Sequence, residues 1–138
     1  MAFITSRNPL AGREIDVNVY DENGKLKEIK FVAQYKRKKR TEYRDLVKQL
    51  TQIGMPVLDD AGKATDAIHQ APFETDTIFL QTVMGGWVGV ERADGTAREF
   101  SADELQDLLE EWPELIPALA DGFHQVHAAA PAPRAKNS

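Results

Sequence analysis

Hydrophobic and polar residues alternate in two runs near the start of the chain. The first run spans Ile15 to Val19 and the second spans Ile29 to Tyr35. A period of two places every second side chain on the same face of a strand. Between the runs lies Asn23-Gly24, a pair that tolerates the positive φ angles of a tight turn. The pattern predicts an antiparallel hairpin with strands near 13–20 and 26–37.

The period becomes helical after the second strand. Hydrophobic residues recur every three or four positions from Tyr43 to Ile53, and Thr41 is the expected N-cap of this helix. Residues 55–73 have weak periodicity and many helix breakers, which predicts a loop with at most one helical turn. A second helix is expected at 74–84. We expect Gly85-Gly86 to end it, because glycine readily adopts the left-handed conformation that follows a helix.

Two more helices are predicted in the second half of the chain. Ser101 and Glu104 have the spacing of a capping box and would open a helix at 102–111. Trp112-Pro113 ends it, because proline cannot continue a helix, and a last helix follows at 114–127. The chain therefore predicts one α+β domain over 1–127, with an N-terminal β-hairpin and about four helices. The Ala- and Pro-rich residues 128–138 are expected to form a flexible tail.

Composition narrows the class of protein. The 138 residues include no cysteine, which excludes disulfide bonds and thiolate chemistry and fits a reducing cytoplasm. No segment approaches the roughly 20 apolar residues that a membrane-spanning helix needs. The N-terminus also lacks the charged leader and long apolar core of a secretory signal.

The most unusual segment is the basic run KRKKR, residues 36–40. Such a run can indicate nucleic-acid binding. However, the net charge is −5, and residues 91–114 carry nine acidic residues against two arginines. No aromatic residues are interleaved with the run as stacking on bases would require. A solvated strand-to-helix junction is favoured. A nucleic-acid-binding regulator stays open, as does a basic patch that meets the acidic surface of another copy by self-association.

Catalytic and metal-binding patterns are sparse. His124 and His127 share a helix face with Asp121, but no further metal ligand is implied. Ser101 is better explained as a helix cap than as a nucleophile, because no histidine partner lies near it in sequence. The glycines near 85–89 are not followed by the Lys-Ser/Thr of a phosphate-binding loop. We expect no catalytic residue, no metal and no cofactor, and hence no enzyme.

Three motifs follow one another along the chain: FVAQYKRKKRTEY at the end of the second strand, GGWVGVE after the second helix, and REFSADELQDLLEEWPELIPALADGF beyond it. In their order and spacing they resemble the tail assembly chaperones of long-tailed bacteriophages. The likeness covers roughly residues 13–138. The matching positions are Gly86, Trp87, Gly89 and Val90; Glu99, Phe100 and Ser101; Leu108, Leu109, Trp112 and Pro113; then Leu119 and Phe123. In that family the strand end is part of the fold and does not bind nucleic acid.

The resemblance implies a non-enzymatic function. Such chaperones bind the phage tape-measure protein, keep its apolar helical stretches from aggregating and help the tail-tube protein to assemble. They act in the bacterial host cytoplasm and are absent from the finished virion. A small structural tail or connector protein of the virion is the alternative. The candidate partner-binding residues are the two tryptophans and surplus apolar residues of two helices: Trp87, Trp112, Phe79, Val83, Phe123 and Leu119.

The end of the chain suggests a second gene product. In the resembled family a longer chaperone is often made by a −1 ribosomal frameshift near the end of the short reading frame. Ala135-Lys136-Asn137 can be encoded by GCA-AAA-AAC, which contains a slippery A-AAA-AAC heptamer. An extension joined at a flexible tail would disturb no packed element. An accidental polar ending explains the same residues equally well.

Overall fold

The chain begins with the long β-hairpin that its alternating pattern predicts. In the computed structural model, which describes residues 2–129, strand β1 (Leu10–Tyr20) pairs antiparallel with strand β2 (Leu26–Lys36). Ile15 lies opposite Phe31, and both are buried. The turn at Asp21–Lys25 has Gly24 at φ +76°, as the Asn-Gly pair predicts.

Seven further elements follow the hairpin. They are α1 (Arg40–Thr51), β3 (Pro56–Leu58), β4 (Ala64–Ile68), α2 (Asp76–Val83), β5 (Met84–Val88), α3 (Ala102–Glu111) and α4 (Leu115–Val126). Within residues 2–129 the α+β class, the N-terminal hairpin and the four helices are thus confirmed. From residue 130 onward, the predicted tail lies outside the described residues, so its flexibility stays a prediction.

The pair Gly85-Gly86 does not end a helix, so that prediction is wrong. Both glycines lie in β5, which pairs with β2 and completes a three-stranded antiparallel sheet in the order β1-β2-β5. Neither has a positive φ angle. A Cβ atom at Gly85 would overlap the Leu10 side chain, and one at Gly86 would overlap Gln34. The glycines are there because the side chains of neighbouring strands pass close to their backbone.

Residues 55–73 are not a simple loop, contrary to the prediction. They contain a second antiparallel hairpin, formed by β3 and β4 around Gly62 at φ +79°. Its turn repeats the chemistry of the first. The Asp59 carboxylate accepts hydrogen bonds from the N–H groups of Ala61 (3.0 Å) and Lys63 (2.9 Å). The short strands are exposed along almost their whole length, which is why no clear apolar alternation marks them.

The predicted helix caps are only partly correct. Helix α1 is capped at Lys39 and not at Thr41, because the Glu42 carboxylate accepts a hydrogen bond of 3.0 Å from the Lys39 N–H. Ser101 caps α3 as predicted, its hydroxyl accepting from the Glu104 N–H at 3.0 Å. Glu104 does not complete the capping box, because its carboxylate binds two arginines.

The core lies between the sheet and the helices α2, α3 and α4. Its largest fully buried side chains include Tyr35 from the sheet and Phe123 from α4. The Tyr35 ring packs so close to α4 that only glycine fits at position 122. In the described part of the chain no helix is both long and apolar enough to cross a bilayer.

Candidate partner-binding surfaces

Five of the six candidate partner-binding residues lie in the core. Phe79 and Trp87 are each 9% exposed, and the other three are almost fully buried: Val83, Leu119 and Phe123. Phe79 meets Phe123 edge to face, with ring centroids 5.5 Å apart. The structure therefore brings these residues together, but beneath the surface that a partner would meet. A direct role for them in partner binding stays a prediction.

Trp87 fills the corner between β5 and the segment before α3. Its indole Nε1–H donates a hydrogen bond of 2.6 Å to the Arg98 carbonyl. Its ring meets Phe100 edge to face at 5.0 Å. A buried tryptophan whose N–H has a partner is well suited to hold two segments together. Trp87 is therefore a core residue in this structure.

Trp112 is the one residue of the six that is only half-buried. It lines a cavity of about 180 Å³ whose apolar lining comes from β2, the loop after β5, and helices α3 and α4. The apolar lining residues are Ile29, Phe31, Val90, Leu108, Trp112 and Leu115. A second cavity of about 480 Å³ shares Lys27, Glu91, Leu108 and Trp112 with the first. Together the two form one surface depression, which we call the Trp112 groove.

The rim of the Trp112 groove carries both signs of charge. The Lys27 ammonium lies 5.9 Å from the centroid of the Trp112 ring, a cation–π distance. On the other side, the Arg98 Nε binds the Glu104 carboxylate at 2.5 Å, and Arg92 reaches the same carboxylate at 3.2 Å. The hydrogen bond from Arg98 lowers the pKa of Glu104. A groove with an apolar floor and a mixed-charge rim suits an amphipathic helix.

Another cavity lies beside the basic run. It measures about 620 Å³ and is lined by residues of the N-terminal segment, the β2–α1 junction, α1 and the end of α4. Its cationic residues are Arg7, Arg37, Lys38, Arg40 and Arg44, and no carboxylate of residues 2–129 lines it. We call it the basic cavity. The run therefore lies at an exposed strand-to-helix junction, as predicted. The fold also brings Arg7 and Arg44, which lie outside the run, to the same cavity.

His124 and His127, near the end of α4, make contacts that stabilise the fold beside this cavity. His127 Nε2 accepts a hydrogen bond of 3.0 Å from the Lys38 N–H. Its Nδ1 therefore carries the proton and donates to the Phe123 carbonyl at 2.8 Å. The His127 ring stacks on Tyr43 at 4.5 Å, and the Tyr43 hydroxyl lies 2.7 Å from His124 Nδ1. Partial burial raises the pKa of Tyr43.

His124 and His127, whose spacing raised the possibility of a metal site, thus make hydrogen bonds and ring contacts within the protein. Across residues 2–129 no three histidine or acidic side chains are grouped closely enough to hold a metal ion.

The β3–β4 hairpin projects apolar side chains into solvent. Leu58 is 61% exposed and Ile68 is 51% exposed, and Met55 lies beside them at 52%. Sequence reasoning missed this surface, although the repeat of Asp-x-x-Gly-Lys at 21–25 and 59–63 could have revealed the hairpin.

These features describe a small α+β domain with several surface depressions. The family model for phage tail assembly chaperone matches residues 1–137. The chain therefore belongs to the phage tail assembly chaperone family, and the resemblance seen in the sequence is confirmed. Neither a comparison with curated proteins nor one with solved structures finds a match.

Proposed function

We propose that this protein binds the phage tape-measure protein, keeps its apolar helical stretches soluble and promotes tail-tube assembly without catalysing a reaction. Membership of the tail assembly chaperone family supports the general role in tail assembly. The single observation that supports a binding mode is the Trp112 groove, whose half-buried indole lies on an apolar floor between charges of both signs.

The groove fits one amphipathic helix. Apolar residues of a tape-measure helix would contact Ile29, Leu108 and Trp112, and its charged residues would meet the rim. Tryptophan is enriched among residues whose truncation costs the most binding energy. Covering the apolar positions of an otherwise insoluble helix lowers its tendency to aggregate, because aggregation buries the same surface.

The exposed residues of the β3–β4 hairpin extend the apolar surface available to a long partner. Leu58 and Ile68 lie on different strands of this hairpin and are both more than half exposed. Isolated exposed apolar residues are common, but several on one projecting hairpin often indicate a contact site. We assign them a secondary role, because neither residue lines the Trp112 groove.

Co-expression tests this function. The tape-measure protein of the same phage is produced in bacteria alone, with the wild-type chaperone and with the Trp112→Ala variant. We expect the soluble fraction of the tape-measure protein to rise with the wild type and to stay low with the variant. Tyr20→Ala is the matched control, because Tyr20 is an exposed aromatic residue that lines neither cavity of the groove. An equal rise with Trp112→Ala would contradict the groove, and no rise with the wild type would contradict the function.

A second test asks whether the protein acts only during tail assembly and is absent from the finished particle. As an assembly factor in the host cytoplasm, it should be present in infected cells and absent from purified particles. Quantitative mass spectrometry of purified virions checks this. A fixed copy number per particle would favour the alternative, a structural tail or connector protein.

A further inference from the structure

The basic cavity holds positive charge that no carboxylate of residues 2–129 neutralises. Five cationic side chains line it, and the ion pairs of the described residues involve none of them. The acidic residues of α1, Glu42 and Asp45, do not line the cavity. Glu42 instead accepts the hydrogen bond from the Lys39 N–H at the start of the helix. The cavity is therefore a positive depression that an anionic group would neutralise.

Hydrogen bonds to two other segments hold the basic run in place at this cavity. The Arg37 N–H donates to the Pro9 carbonyl at 2.9 Å, and Arg37 Nε donates to the Asn8 carbonyl at 2.8 Å. The Lys38 N–H donates to His127 Nε2 at 3.0 Å. Arg37 and Lys38 are both half-buried. Because burying a charge without an opposite charge costs free energy, an anionic ligand would stabilise this arrangement.

The cavity also offers apolar contacts. Tyr43, Val47 and Val126 line it together with the cations. Its volume of about 620 Å³ is in the range of sites that enclose small ligands, roughly 300–1,000 Å³. That size suits a short peptide segment and is too small for a whole folded surface. A ligand that combines negative charges with one apolar side chain would use both kinds of lining residue.

Four of the five cations are arginines: Arg7, Arg37, Arg40 and Arg44. The planar guanidinium group can donate two parallel hydrogen bonds to one carboxylate, which lysine cannot do. We propose that the basic cavity binds a short acidic segment of another protein, with the carboxylates of the segment on the arginines and one apolar side chain on Val47 and Val126. Trp112 does not line this cavity, so the inference goes beyond the proposed function and does not depend on the Trp112 groove.

Other occupants fit the cavity less well. Residues 130–138 of this chain contain Arg134 and Lys136 and no acidic side chain. A nucleic acid extends beyond a depression of this size and would meet the remaining surface of a protein with a net charge of −5. That repulsion opposes the phosphate neutralisation on which nucleic-acid affinity depends. The Tyr43 ring also stacks on His127 at 4.5 Å, so one of its faces is not available to a base.

A labelled model peptide tests the proposal with the full chain. The probe is a fluorescein-labelled peptide of about ten residues, mostly glutamate and aspartate, with one central leucine; its extended length of roughly 33 Å is enough to cross the cavity. Fluorescence anisotropy at about 50 mM NaCl should show saturable binding of one peptide per chain. The Kd should rise at least about tenfold near 500 mM NaCl, where charge interactions are screened beyond a few ångströms.

Two matched double variants locate the site. Arg40→Gln/Arg44→Gln removes two charges from the cavity and should raise the Kd at least about tenfold, because charge-assisted hydrogen bonds are lost. Both arginines are exposed, so the fold should be retained, which circular dichroism checks. The control Lys25→Gln/Lys63→Gln makes the same charge change at two exposed hairpin turns outside the cavity. It should bind the peptide like the wild type.

Two altered peptides test the chemistry of the ligand without altering the protein. Replacing the central leucine by serine should raise the Kd at least about threefold, because the contact with the apolar lining is lost. Replacing the acidic residues by glutamine and asparagine should abolish binding. Equal affinity for the leucine and serine peptides would show only a diffuse attraction to positive charge and would overturn the proposal.

Several other results would also overturn it. They are no saturable binding at low salt, and equal Kd values for the cavity variant and the control. Labelled single-stranded DNA that binds more tightly than the peptide at about 150 mM salt, and is lost in the cavity variant, would assign the cavity to nucleic acid. Sedimentation velocity of the protein alone is the last arm: a change of mass in the cavity variant with peptide binding intact would assign the cavity to a second copy. Trp112→Ala should leave peptide binding unchanged, so the two proposals fail separately.

Discussion

The Tyr35 hydroxyl donates a hydrogen bond of 2.6 Å to the backbone carbonyl of Leu119. The bond joins the central strand β2 to helix α4, and both residues are fully buried. Gly122 lies one helical turn further on, directly against the same hydroxyl. Position 35 thus couples the sheet to the last helix by packing and by one buried polar contact.

Replacing Tyr35 by phenylalanine should remove this coupling. We expect Tyr35→Phe to lower the free energy of unfolding by about 1 kcal/mol, the usual net value of a buried hydrogen bond. Urea denaturation at neutral pH measures it. A variant as stable as the wild type would show that the bond adds no stability.

The same substitution should change the stability at high pH. Burial raises the pKa of Tyr35 above its usual value near 10. The folded state therefore keeps a proton that the unfolded state loses, and stability falls as the pH rises above about 10. Tyr35→Phe should flatten this fall, which urea denaturation between about pH 8 and pH 11 measures. An unchanged slope would mean that other groups, such as Tyr43, cause it.

A methyl group at position 122 should be poorly tolerated. In Gly122→Ala the new Cβ would overlap the Tyr35 hydroxyl and lie 3.1 Å from Cζ of that ring. We expect a loss of about 1–3 kcal/mol, although alanine is the better helix former. The clash is smaller without the hydroxyl, so the two substitutions should be less than additive in Gly122→Ala/Tyr35→Phe. Strict additivity in thermal or urea unfolding would argue against the contact.

The Glu104 carboxylate should contribute stability that acid removes. Its hydrogen bond from Arg98 lowers its pKa in the folded state, so the folded state binds its proton less readily than the unfolded state does. Stability is then present above the ordinary glutamate pKa of about 4.3 and is lost as the pH falls through the lowered value. Glu104→Gln should weaken this acid dependence. Glu99→Gln, a neighbouring exposed residue, is the control, and equal curves for both variants would contradict the assignment.

Local patterns predicted most of the fold. Alternation around Ile15 and Phe31 gave the hairpin, because one face of each strand is buried. The second hairpin was missed because Leu58 and Ile68 are exposed and provide no alternation, although Asp59 and Gly62 mark its turn. Gly85-Gly86 was misread because glycine serves two purposes, a left-handed helix end and close approach of neighbouring strands. Only the sheet register distinguishes them.

The candidate site was harder to predict than the fold. Trp112 was identified as a candidate, but the rest of its groove comes from segments far apart in sequence, such as Ile29 and Val90. No local sequence pattern indicates that these segments come together in the fold. The sequence also does not show which apolar residues of α2 and α4 are buried. It therefore cannot distinguish core residues from residues that contact a partner. The basic run was visible, but Arg7 and Arg44 join it only in the folded protein.

The C-terminal residues carry a prediction about the gene, and they lie outside the described part of the structure. If Ala135-Lys136-Asn137 is encoded by the slippery heptamer, a minority product should share this chain to about residue 136 and continue beyond it. Mass spectrometry of expressing cells would detect it. Absence of the heptamer, or of the longer product where the heptamer exists, would rule it out.

The most direct test of the central claim is the affinity of this protein for helical segments of its tape-measure protein. Fluorescence titration of labelled segments should show saturable binding by the wild type and by Tyr20→Ala. Trp112→Ala should raise the Kd about 30-fold, which corresponds to the ~2 kcal/mol of an interface hot spot. Equal binding by Trp112→Ala and the wild type, with the fold of each verified by circular dichroism, would contradict the account.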